Sequence, residues 1–141
     1  MVTTPAAAPP PPFDWPQFLT LAEELAKRAE ESCLRTAISR AYYYAYHLGR
    51  QRIMDNEFIM VPGGDSHKQV WEKFEGSPDW ECKKLALLAV KLKDKRQRAD
   101  YDKVFPRIAD EFPTVLDMAR KFAADLGRLN ARLPVNRGVR P

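Results

Sequence analysis

Apolar residues recur along this chain at steps of three and four, beginning with Phe18, Leu21, Ala22, Leu25 and Ala29. Glu23, Glu24, Lys27 and Arg28 fall on the other side. That is the spacing of a helix with one apolar face. Asp14 can cap this helix, and Pro16 suits its first turn. The same period through Leu34, Ala37, Ile38, Ala41, Ala45, Leu48 and Ile53 predicts a second, long helix over about residues 31–54, with Gly49 toward its C-terminal half. Pro62, Gly63 and Gly64 make residues 55–65 a loop. Ser66 and Gln69 then have capping-box spacing and open a short helix reaching Phe74. After Gly76, Ser77 and Pro78, Asp79 can cap a fourth helix carrying Leu85, Leu88, Ala89 and Leu92 as far as Arg98. Residues 101–109, with Pro106, read as a connector. A last helix is expected from near Asp110, with Pro113 in its first turn and Val115, Leu116, Met118, Ala119, Phe122, Ala123, Leu126 and Leu129 inward. It should end before Pro134. No stretch alternates over strand length, so the expected fold is all-α: an up-and-down helical bundle of four longer helices plus a short one.

Composition sharpens the boundaries. Residues 1–12 (MVTTPAAAPPPP) are small and Pro-rich, which favours extended, solvated chain. The division expected is therefore a disordered tail over 1–13, one helical domain over 14–133, and a flexible C-terminal tail over 134–141. A chain of 141 residues, 45% hydrophobic and 30% charged, suits one soluble core. No apolar run approaches the roughly 20 residues of a membrane span. No basic segment followed by an apolar core opens the sequence, so no membrane partner and a cytoplasmic location are expected. Cys33 and Cys82 lack CxxC spacing or a nearby His and read as buried thiols, so neither a metal nor another cofactor is expected. The net charge of +4 mildly favours phosphate-bearing partners.

The second helix carries the chemistry, in the run Ser39-Arg40-Ala41-Tyr42-Tyr43-Tyr44-Ala45-Tyr46-His47. Seven residues turn a helix by about 700°, so Arg40 and His47 share a face roughly 10.5 Å apart along the axis. Tyr43 and Tyr44, three and four residues after Arg40, are expected beside them. A permanent cation, an imidazole that titrates near neutrality and phenol rings suit metal-independent cleavage of an RNA phosphodiester. His would move the proton, Arg would brace the phosphate, and Tyr would stack on unpaired bases. The plain alternative is that the tyrosines fill core and interface.

The run SRAYYYAYH resembles the signature of compact prokaryotic HEPN proteins (higher eukaryotes and prokaryotes nucleotide-binding), in which Arg, four to six residues and then His lie on one long helix. Gly64-Asp65-Ser66-His67-Lys68 and Arg98-Ala99-Asp100-Tyr101 match further segments of that branch in order, over roughly residues 17–130. The resemblance implies a helical bundle that forms a homodimer with a composite cleft. It further implies catalytic roles for Arg40 and His47, RNA as substrate, and a toxin or defence role, with a nucleotidyltransferase-type antitoxin as a possible partner. Two positions depart from the pattern. Ala41 replaces the polar residue that often follows the Arg. Gly49 stands where such antitoxins modify a tyrosine, so AMP transfer to that position is excluded.

Other residues carry two readings each. His67 either assists the site or makes a local contact at the start of its helix. The basic run from Lys91 to Arg98, with Lys95 and Arg96 as its expected substrate contacts, either tracks an RNA backbone or is a solvated face. Asp100 and Tyr101 read as support for the long helix, and Trp15, Trp71 and Trp80 as core or interface. At the level of function, an RNase and a non-catalytic module binding RNA, a nucleotide or an antitoxin both remain open.

Overall fold

The structure, a computed structural model, describes residues 7–138. Its elements are α1 (Pro16–Ala26), α2 (Glu31–Asp55), α3 (Ser66–Glu75), α4 (Trp80–Tyr101) and α5 (Ile108–Arg128). No strand occurs among the described residues, so the all-helical expectation and its element count hold. α2 is the central element and touches each of the other four. Its fully buried positions Ala37, Ile38, Ala41, Tyr42, Ala45 and Ile53 meet Val70 and Phe74 of α3, Ala89 and Leu92 of α4, and Ala119 and Phe122 of α5 in one core.

Two arginines of α2 hold the ends of other helices. Arg35 donates to the carbonyls of Ala99 (2.9 Å) and Asp102 (2.7 Å), satisfying acceptors that the end of α4 leaves open. Arg52 does the same at the end of α5, reaching the Leu126 carbonyl at 2.8 Å and that of Leu133 at 3.2 Å. Leu133 also accepts from Asn56 at 3.0 Å, Asn136 donates to the Glu57 carbonyl at 2.8 Å, and Pro134 is fully buried. Residues 134–138 are thus part of the domain and not the tail expected. Residues 1–6 and 139–141 lie outside the described residues.

Several helix ends differ from the sequence reading. Trp15 takes the N-cap position of α1 with helical backbone angles and no side-chain bond, so Asp14 does not cap. Asp65 caps α3 by accepting from the Lys68 N–H at 3.1 Å, one residue before the expected Ser66. Gln69 reaches back instead to both backbone groups of Val61, at 2.7 and 3.0 Å, and ties down the loop. Asp79 caps α4 as expected, accepting from Glu81 and Cys82. α5 starts at Ile108, after Arg107 in the left-handed region (φ 59°), so Pro113 falls in its second turn. Cys33 and Cys82 are buried free thiols.

Candidate functional site

The most polar stripe of α2 consists of Arg40, Tyr43, His47 and Arg50, at helical steps of three, four and three, and all four are half-buried. Arg40 spreads its guanidinium over the rings of Phe18 (4.7 Å) and Tyr43 (5.0 Å). Among the described residues neither Arg40 nor Arg50 has a carboxylate partner. The charges of Arg35, Arg52, Arg96, Arg98, Arg107, Arg120 and Arg128 are all taken up by carboxylates or carbonyls. Two cations on one stripe therefore lack a counterion.

His47 sits between them under an aromatic cover. Trp15 stacks on the imidazole with ring centres 3.5 Å apart and planes 2° apart. Phe13 and Phe18 pack on Trp15 at 4.9 and 5.4 Å, and the Tyr46 ring meets the imidazole edge-on at 5.0 Å. Burial pushes the His47 pKa down to about 4, and the positive charges of Arg50, His67 and Arg40 act the same way. His47 is thus a neutral imidazole at neutral pH.

A second histidine adjoins it. The His67 ring stacks on Tyr46 at 4.2 Å, so Tyr46 touches both imidazoles. His67 Nδ1 lies 2.6 Å from the Tyr42 hydroxyl, and that hydroxyl accepts from Trp71 Nε1 at 3.1 Å. Burial raises the Tyr42 pKa far above that of a free phenol, and burial with the nearby Arg96 and Lys93 lowers that of His67. Trp71 reaches this place because position 49 is glycine. A Cβ there would stand 2.8 Å from the indole, so the residue that departs from the HEPN pattern makes room for this hydrogen-bond chain.

The structure sorts the expected site residues. Arg40, His47 and Tyr43 come together. Tyr44 does not join them, because a residue four positions after Arg40 lies about 40° to the other side of it. Only 8% exposed, Tyr44 presents no free face to a base. Lys95 is also a correction: it is 2.8 Å from Glu111 and clasps α4 to α5. Arg96, one position on, is buried instead of lying on a solvated basic face. It lies against the rings of Tyr42 and Tyr43 (5.4 and 5.5 Å) and 3.5 Å from Asp100, with Nε unpartnered. Asp100 also accepts from Ser39 of α2 at 3.4 Å, whereas Tyr101 is 78% exposed and supports nothing. Trp71 is core, and Trp80 is 62% exposed.

No family model matches the chain, and no curated protein or solved structure matches it. The HEPN resemblance therefore stands on the chain's own motifs. The grooves along α4, around Leu85 and Arg128, around Lys95 and Glu111, and beside Lys93, are not lined by Arg40, His47 or Arg50. Among the described residues no group of three His, Cys, Asp or Glu side chains is placed to hold a metal ion, and no helix is long and apolar enough to cross a membrane.

Proposed function

We propose that this protein is a metal-independent endoribonuclease of the HEPN type, a cytoplasmic toxin or defence component. The reading rests above all on a neutral His47 flanked on one stripe by two cations without counterions, Arg40 and Arg50. A phosphate between those cations would complete their charge and at the same time raise the His47 pKa, because the positive charges that depress it would be neutralised. The imidazole would then approach the range in which proton transfer is efficient. In the step envisaged, neutral His47 takes the 2′-hydroxyl proton as the O2′–P bond forms. Arg40 holds the non-bridging oxygens as the P–O5′ bond breaks. The leaving oxygen takes a proton back from the imidazolium so formed, and a homodimer about the α2 stripe would set a second Arg40 and His47 beside the same phosphate. A nucleotidyltransferase-type antitoxin would act elsewhere than at residue 49, since Gly49 has no side chain to modify.

The purified protein should cut single-stranded RNA in EDTA, leaving a 2′,3′-cyclic phosphate, and should leave DNA intact. His47→Ala and Arg40→Ala should each lower the rate about 10²-fold or more while remaining folded. Sedimentation in the same buffer should show a dimer. Wild-type cutting rates in both variants would refute the site. The competing reading is a module that binds RNA, a nucleotide or an antitoxin without turnover. It is favoured by one observation, the Trp15 ring lying flat on the imidazole. Binding without cutting that survives His47→Ala and fails in Arg40→Ala would establish it.

A further inference from the structure

The proton position on His67 follows from its neighbours. An indole N–H only donates, so the Tyr42 hydroxyl accepts from Trp71 and uses its own hydrogen elsewhere. Tyr42 is fully buried, and the acceptor that its hydroxyl meets is His67 Nδ1. Nδ1 therefore carries the lone pair, and the hydrogen of the neutral ring is on Nε2. The groups facing the ring oppose a second proton. From α4 come Arg96 and Lys93. From α3, in which His67 is the second residue, comes the positive helix end, offset by Asp65 alone; from α2 come the phenols Tyr42, Tyr43 and Tyr46. Protonating Nδ1 would also reverse the 2.6 Å bond and leave the Tyr42 hydrogen without an acceptor.

We propose that His67 is a fixed hydrogen-bond donor to a nucleic-acid phosphate, locked by Tyr42 and Trp71 into the tautomer that offers Nε2–H, on a ring that shares its Tyr46 neighbour with His47. This rests on the phosphate-site reading above and divides the work between the imidazoles. His47 moves a proton; His67 holds an oxygen and moves none. Arg96, buried beneath Tyr42 and Tyr43 with a free Nε and a 3.5 Å contact to Asp100, lies near enough to His67 for its charge to oppose protonation of that ring.

The test uses the full chain with ¹⁵N-labelled histidine and a short single-stranded 2′-O-methyl RNA, which binds as RNA does and cannot be cleaved. In the free protein at pH 7, nitrogen shifts should show His67 protonated at Nε2 alone, with a pKa below that of free histidine. An Nδ1–H tautomer, or ordinary titration, overturns the proposal whatever the protein's activity. His67→Ala should weaken binding of the analogue about tenfold or more, the loss of one hydrogen bond to a charged group. His67→Gln, which keeps an N–H donor, should recover part of it. On cleavable RNA, His67→Gln should leave the shape of the pH–rate profile unchanged, whereas loss of a limb would make His67 a proton carrier and refute the assignment. If wild type binds the analogue and both variants bind equally well, the donor role is wrong and the phosphate site stands. If wild type does not bind, both fall. Should His67→Ala misfold, the glutamine variant and the wild-type tautomer decide.

Discussion

Tyr42→Phe removes one oxygen from the centre of the protein and tests the chain from Trp71 to His67 directly. Phenylalanine fills the same space, so no cavity of consequence opens and the change isolates the hydroxyl. Tyr42 is 0% and Trp71 4% exposed, so the indole N–H that now donates at 3.1 Å would be left unpaired away from water. An unpaired buried donor costs about 1–3 kcal/mol, and the lost bond to His67 a further 0.5–1.5 kcal/mol or so, together about 2–4 kcal/mol. With an unfolding entropy of about 2.1 cal/mol/K per residue, this lowers Tm by roughly 7–13 °C for a chain of 141 residues. Circular dichroism melts at pH 7.5 measure it, with Tyr46→Phe as the control, because the Tyr46 hydroxyl makes no hydrogen bond among the described residues. A drop below about 2 °C for Tyr42→Phe, or an equal drop in the control, would refute the claim that this hydroxyl organises the interior and would remove the basis for the His67 tautomer.

Trp15→Ala should raise the His47 pKa from about 4 toward the ordinary 6.5, because burial is the largest cause of its depression and Trp15 covers one ring face. Proton NMR of the imidazole follows this, and an unchanged pKa would mean that the neighbouring cations alone set it. Both histidines are depressed in the folded state, so the unfolded chain binds more protons as pH falls through about 6.5. Their contribution to stability is complete above that pH, declines down to the folded pKa, and stops changing below it. For His47, partly open to solvent, the loss should come to no more than about 1 kcal/mol. Urea unfolding of wild type against His47→Gln between pH 4 and 7 should show the variant losing less, and parallel curves would contradict the assignment.

What could be read in the sequence was whatever depends on local period. The five helices follow from apolar spacing and turn residues, and the Arg40, Tyr43 and His47 stripe follows from 100° per residue. The contacts that decide the chemistry are not local. Trp15 reaches His47 across 32 positions and Tyr42 reaches His67 across 25, and nothing near either residue announces its partner. Gly49 carried a partial signal. A glycine inside a long helix costs about 1 kcal/mol against alanine, so it marks a place where something large comes close, here the Trp71 ring.

Lys95 and Arg96 show where a legible signal went unused. Taken as a charge run, residues 91–98 look like one basic surface. Taken by period, Arg96 continues the apolar line Leu85, Ala89, Leu92 and Ala99, all buried against neighbouring helices, while Lys95 lies a step of 100° away and turns to Glu111. A cation at a core position loses its water, and Arg96 receives in return only a 3.5 Å contact with Asp100 and the faces of Tyr42 and Tyr43. For stability alone an apolar side chain would serve there as well or better. Arg96 instead puts a permanent positive charge behind Tyr42 and His67, where it opposes protonation of that imidazole and adds to the positive field of the proposed phosphate site.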